Sequence, residues 1–261
     1  MEKKSLGWRT VVLGATGVVA FGVLWELAVL LGLIDKTFLP APSHLFREII
    51  EMFRSADDTL LKDILVSAQR VLIGFALSAV VGVPLGLVMG MSPVLKALLD
   101  PIISIIRPLP AMSWIPLTML WLGIDDAQKY AIVFMGCFAS VLVYTVDATM
   151  RVEPELVRAA RNLGAGKWAI IRHVILPGAL PNIFSGLKVV LAIAWTCVIS
   201  AELVGATSGL GFRIWTAKDN FNTSLVLLGM VCISATVLIL DIVFRFVERF
   251  ALPWLREEVS E

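Results

Sequence analysis

An all-α integral membrane protein with about six transmembrane helices is the fold this sequence predicts, and three observations predict it. Hydrophobic residues make up 58% of the 261 and charged residues only 16%, against roughly 45–50% and about 25% in soluble domains. Mean hydropathy is +0.88. Apolar runs of about 20 residues, the length a helix needs to cross the hydrocarbon core, recur along the chain. A net charge of +1 argues against nucleic acid as a partner.

The first expected span is Thr10–Ile34. Lys3, Lys4 and Arg9 precede it, but the run is too long for the core of a cleaved signal. Residues 35–66 are polar, with Pro40, Pro42 and an amphipathic run from His44 to Phe53 that reads as a short surface helix. The second span, Val71–Met91, should bend at Pro84. The third, Asp100–Leu122, is interrupted by Pro108, Pro110 and Pro116, and Tyr130–Met150, Ile183–Gly205 and Ser224–Phe246 complete the set. Cys137, Cys197 and Cys232 each lie inside an apolar run and read as small packing residues.

Basic residues set the orientation. The side bearing Lys3, Lys4, Arg9, Lys96, Arg151, Lys188, Arg249 and Arg256 is richer than the side bearing Lys36, Arg47, Arg54, Lys129 and Lys218, where Asp57 and Asp58 add opposite charge. Both termini and the segment 152–177 are therefore expected in the cytoplasm. Trp8, Trp121, Trp168, Trp215 and Trp254 fall near span ends, as an interfacial belt requires.

Segment 152–177 is the longest polar interval with strong helix signals. Pro154 suits a first helical turn, and Glu153 and Glu155 sit where the positive end of the helix dipole favours them. Leu156, Ala159, Ala160 and Leu163 form one apolar stripe, with Arg158 and Arg161 off it. Gly164 is expected as a left-handed stop. A second short helix, Lys167 to Ile175, should end at Pro177. This helix–turn–helix reads as a docking element.

Its spacing resembles the "EAA" loop of binding-protein-dependent ABC-transporter permeases. Ala159-Ala160, Gly164 and Val174-Ile175-Leu176-Pro177 keep the register of that loop, with Arg158 where the family most often has Glu and Val174 where it has Ile. The resemblance covers roughly residues 60–250 and implies the type I ABC importer fold, with a cytoplasmic coupling-helix loop. It implies an inner-membrane location and assigns ATPase coupling to Glu155, Arg158, Ala159, Ala160, Gly164, Leu176 and Pro177. Two ATPase subunits that bind the ATP and Mg, a second permease copy as homodimer partner, and a periplasmic solute-binding protein follow from it. The expected division is 1–59 for the first span and outer amphipathic segment, 60–250 for the permease core, and 251–261 for a cytoplasmic tail.

Four further features carry physical content. Gly74, Ser78, Gly82, Gly86 and Gly90 recur every fourth residue, a small-residue face that suits either a tight intramolecular contact or a dimer seam. Broken backbone around Pro108, Pro110 and Pro116 survives at membrane depth only where protein or a water-lined cavity shelters it. Arg107, Ser113 and Trp114 are thus candidates to border a solute path, though Arg107 alternatively snorkels or pairs with Asp100. The pattern Arg107-Pro-x-Pro-x-x-x-Trp114 is similar to the nitrate, taurine and alkanesulfonate branch, which implies a small anionic solute such as these or bicarbonate. Glu26 and Glu202 lie in spans and need partners; Arg70, Arg213 and Lys218 are the candidates for either, as a structural pair or as a gate that breaks during transport. Glu202 is counted with Arg107, Ser113 and Trp114 among the expected translocation-path residues. Asp241 and Arg245, one turn apart, should pair.

Gly205-Ala-Thr-Ser-Gly-Leu-Gly211 reads as a flexible outer loop that resembles the family's "GLG" segment. Gly166-Lys167 lacks the earlier glycine and following Ser or Thr of a phosphate-binding loop, and no nucleophile–base pair is visible. ATP hydrolysis by this chain is not expected. The rival class is a secondary carrier driven by an ion gradient, which often shows two related halves with broken helices; here one broken span and no internal repeat appear.

Overall fold

The computed structural model describes the backbone of residues 2–54 and 59–253. Asp57, Asp58 and the segment holding Trp254 and Arg256 lie outside the described residues, as do the side chains of Lys3, Lys4, Trp8, Arg9 and Arg54. Among the described residues every regular element is helical. In chain order these are α1 (Glu2–Leu30), α2 (Pro42–Arg54), α3 (Thr59–Met91), α4 (Pro93–Ile106), a 3-10 turn (Ala111–Trp114), α5 (Ile115–Leu122) and α6 (Asp126–Met150). There follow α7 (Pro154–Asn162), α8 (Lys167–Ile170), a π-helical turn (Ile171–Ile175), α9 (Leu176–Glu202), α10 (Leu210–Asp219) and α11 (Thr223–Ala251). Five helical stretches are long and apolar enough to cross a membrane: α1 from Val12, α3, α6, the run from Lys167 to Glu202, and α11.

Contacts divide the chain into two compact units. One comprises Met1–Lys62 with Arg213–Cys232, the other Asp63–Phe212 with Ile233–Glu261. In the first unit Glu26 of α1 does not take the basic partner expected. Its carboxylate instead accepts from the backbone N–H (3.1 Å) and Oγ (2.7 Å) of Ser43, in the first turn of α2. Free N–H groups of a first helical turn suit a carboxylate. The hydroxyl of Thr223 donates to the Thr37 carbonyl, and a Cβ built on Gly229 would stand 2.5 Å from Ile214.

The second unit is built on two seams. A Cβ on Gly74, Gly82, Gly86 or Gly90 of α3 would meet Val133, Val141, Thr145 or Thr149 of α6 at 2.5–2.7 Å. Ser78, between them, donates its hydroxyl to the carbonyls of Gly74 (2.9 Å) and Phe134 (3.2 Å). The small-residue face is therefore an intramolecular contact, and its two rows advance in the same direction, so α3 and α6 run parallel. On its other side α6 meets α9 antiparallel, with Gly186 under Tyr144 and Gly136 under Cys197 at 2.6 and 2.3 Å from the built Cβ. Cys137 and Cys197 are both buried in this second seam as free thiols.

Parallel α3 and α6 require the chain between them to return to the far end. The expected third span does this, but not as one helix. α4 stops at Ile106, residues 107–110 are non-helical, and the 3-10 turn leads into α5. Pro108 and Pro110 supply no N–H, so the ladder cannot pass through them. Six expected spans are thus met as five long helices and one broken return.

Two other boundaries move. α3 begins at Thr59 rather than Val71, because Asp63, Ser67 and Arg70 are polar yet buried at 8%, 0% and 4% exposure; hydropathy marks where a helix is apolar, not where it starts. The helix expected to end at Pro177 continues to Glu202. The Leu176 N–H reaches back five residues to the Ile171 carbonyl. This wider turn displaces the carbonyl that a proline ring would strike in an α-helix.

The α3–α6 seam gives a direct test. Gly86→Val should lower the thermal midpoint of the detergent-purified protein through an overpacking cost of about 1–3 kcal/mol. Gly17→Ala, where a Cβ meets nothing within 4 Å, should leave it unchanged or raise it. Size-exclusion profiles after heating read both, and equal midpoints would contradict the seam.

Candidate functional site

Three groups of residues in the second unit carry the candidate chemistry. At the end of α6 where Thr149 meets Gly90, α7 and α8 form the expected hairpin. Gly164 closes α7 with φ of +83°, and the N–H groups of Gly164 and Ala165 reach the carbonyls of Arg161 and Ala160 at 3.0 Å. That is the glycine-closed helix end read from the sequence. The apolar stripe divides on folding. Val157 and Ala160 turn partly inward, whereas Leu156 is 51% exposed, Leu163 89% and, beyond the turn, Trp168 72%. Glu155, Arg158 and Ala159 are exposed beside them, and Leu176 and Pro177 stand half-buried at the base of the hairpin. Val152 packs on Gly178, where a built Cβ would lie 3.4 Å away, so the hairpin is fixed to the start of α9.

The second group is the broken return. Arg107 is the exposed C-cap of α4, where its charge complements the helix's last carbonyls. Asp100, its expected alternative partner, is paired instead with Lys96 one turn earlier at 3.2 Å. The Arg107 side chain has no ion pair or hydrogen bond among the described residues. Ser113 is exposed and Trp114 half-buried. Thr118, buried, returns its hydroxyl to the carbonyls of Trp114 (2.9 Å) and Ile115 (3.0 Å), which satisfies backbone beside the proline-rich break.

At the opposite end of α6 lies a buried ion cluster. Arg70 of α3 donates to Glu202 Oε1 at 2.9 Å and to Asp126 Oδ1 at 2.6 Å, and also to the Ser208 carbonyl at 2.8 Å. Glu202 is 1% exposed and accepts from Ser67 Oγ (2.8 Å) and the Gly211 N–H (2.8 Å) as well. Asp63 takes the Gly209 N–H at 2.8 Å, and Ser67 Oγ accepts the Leu210 N–H at 2.9 Å. Three successive N–H groups opening α10 are thus held by side chains of α3 and α9. Gly209, at φ +112°, has no room for a side chain, since a Cβ would meet the Glu202 carboxylate at 2.4 Å. The segment read as a flexible glycine loop is therefore tightly fastened. Lys129, 2% exposed, donates to the carbonyls of Ile124 and Gly205.

The sequence named Arg70 as a partner for Glu202 but missed Asp63, Ser67, Asp126, Lys129 and Ser208. A signal existed: positions 63, 67 and 70 are spaced four and three apart, which puts all three on one helix face. Asp241 and Arg245 of α11 pair at 2.7 Å as expected, and Lys188 of α9 is answered by Glu248 of α11.

Comparison with known proteins places this geometry. A family described as "Binding-protein-dependent transport system inner membrane component" matches residues 82–256. The taurine transport system permease protein TauC of Escherichia coli (strain K12) is 31% identical, over 97% of this chain and 95% of its own. A putative aliphatic sulfonates transport permease protein, SsuC of Bacillus subtilis (strain 168), is 31% identical over 97% and 90%. The bicarbonate transport system permease protein CmpB of Synechococcus elongatus is 27% identical over 94% and 92%. Among solved structures, a chain of the MetNI methionine ABC transporter in an inward-facing conformation superposes with a TM-score of 0.62, over 75% of this chain and 95% of that one. At 20% identity that likeness establishes the fold.

Removing one member of a buried ion pair strands the other. Arg70→Met should therefore destabilise the protein by about 3–5 kcal/mol. Combining it with Glu202→Met should recover most of the loss. Thermal unfolding of the two variants decides; a double variant no better than the single one would show that the pair is not coupled.

Proposed function

The chain belongs to the family of binding-protein-dependent transport system inner membrane components, and we propose that it is the permease subunit of an ATP-driven importer whose path carries a small anionic solute. Taurine, alkanesulfonate, nitrate or bicarbonate is the class of solute, a reading supported by the names of the relatives for all but nitrate. Residues 60–250 form the permease core, with 1–59 as the first span and outer amphipathic segment and 251–261 as the tail. Both termini and the α7–α8 hairpin face the cytoplasm. Two ATPase subunits hold ATP and Mg, a second copy of this chain completes the path, and a periplasmic binding protein delivers the solute.

The observation that carries the reading is the exposed apolar face of Leu156, Leu163 and Trp168 on a basic hairpin. Apolar side chains held in water at a rigid turn mark a protein contact. The ATPase seats on this face, with Glu155, Arg158, Ala159, Ala160 and Gly164 shaping the seat and Leu176 and Pro177 transmitting its motion into α9. When ATP closes the ATPase pair, the hairpin moves, and α3, α6 and α9 follow as one body because their seams leave no slack. At the far end Glu202 acts as a positioning residue, fastening the outer loop to that body. Arg107, Ser113 and Trp114 border the path, and Arg107 is available there because Asp100 is engaged by Lys96. Family membership favours this importer over an ion-coupled carrier.

One experiment tests both assignments. Leu163→Asp should lose co-purification of the ATPase subunit and ATP-driven uptake together. Arg107→Ala should keep the ATPase yet raise the solute concentration needed for half-maximal uptake. Full assembly and uptake in Leu163→Asp would refute the docking face.

A further inference from the structure

Beneath the hairpin lies a cavity of about 360 Å³ that the transport cycle above does not use. Its walls come from the ends of α3 and α6 and from α7, α8 and the π-helical turn, and include Met91, Val152, Val157 and Ile171. Two cations, Arg161 and Lys167, stand among these apolar groups. Both are exposed, and neither has an ion pair or side-chain hydrogen bond among the described residues. Arg161 is not needed to cap α7, because its carbonyl and that of Ala160 are already taken by Gly164 and Ala165. The acidic residues of the hairpin, Glu153 and Glu155, lie at the other end of α7.

We propose that this cavity binds the phosphate headgroup of an anionic phospholipid from the cytoplasmic leaflet. The proposal rests on the cytoplasmic placement of the hairpin. Three features select that occupant. Gly90 and Met91 close α3, and Thr149 lies in the last turn of α6, so the cavity opens where hydrocarbon gives way to headgroups. Two uncompensated cations in a pocket between helix ends on this side match a phosphodiester. The apolar walls match the glycerol and upper acyl carbons, which a free phosphate ion would leave wet. Because α7 roofs the cavity, an occupant would brace the hairpin against the ends of α3 and α6.

Native mass spectrometry of the full chain, purified with its ATPase partner, reads retained phosphatidylglycerol against phosphatidylethanolamine. The native sequence should prefer phosphatidylglycerol, and R161Q/K167Q should weaken that preference on the order of 10-fold. R172Q, in the π-helical turn but outside the cavity lining, should leave it intact, as should millimolar inorganic phosphate. Preference retained in R161Q/K167Q, or lost equally in R172Q, would overturn the proposal. Displacement by inorganic phosphate would do so too, by making this a free-oxyanion site. So would a preference seen only without the ATPase, by giving both cations to acidic groups of that partner. ATPase co-elution, scored in the same preparation, reports separately on whether the hairpin docks at all.

Discussion

Close approach of α3 to α6 is the constraint on which the rest of this unit depends. Lipid offers no hydrophobic reward for joining two apolar helices, so contact must come from packing and from hydrogen bonds. Four glycines on α3 admit Val133, Val141, Thr145 and Thr149 of α6 to distances no Cβ would tolerate. Ser78 adds the hydroxyl that reaches the α6 backbone. The parallel pairing that results forces the chain to come back across between Met91 and Asp126, and the proline-broken return is its consequence. α9 then packs on the free side of α6 through Gly136 and Gly186, which completes a three-helix body.

Each end of that body has a different character. At one end the backbone is closed by charged and hydroxyl side chains: Arg70, Glu202, Asp63 and Ser67 hold the loop at 208–211 in place. Such a buried network is costly to assemble and more costly to half-dismantle, which suits a part that must keep its shape. The other end presents apolar groups outward on a short, glycine-closed turn fixed to α9 through Gly178. One end is satisfied from within; the other leaves Leu156, Leu163 and Trp168 exposed.

Much of this was legible in the sequence, for reasons that particular residues show. Repeats of small residues, the Gly164 stop and the Asp241–Arg245 spacing are local signals, and each has the consequence expected of it. The family resemblance, carried by Ala159-Ala160, Gly164 and Leu176-Pro177, leads to the same fold and family as the structure and the comparisons. What escaped was non-local or depended on compensation. Nothing near Pro177 announces that a π-helical turn will carry the helix through it. Burial of Ser67 and Asp63 follows from an N–H row more than 140 residues away in sequence. Glu26 found a helix start rather than a cation because hydropathy cannot say which groups a fold leaves unpaired.

The central claim is mechanical: hairpin, α3–α6–α9 body and fastened outer loop move together. Spin labels at Asn162, exposed on α7 beside the docking face, and Thr207, carried by one copy per assembled transporter, report on it through double electron–electron resonance. The account predicts the same Asn162–Thr207 distance with and without ATP, within the spread of the labels themselves. A distance that shifts with nucleotide would mean that the body bends between its ends, and the account would fail.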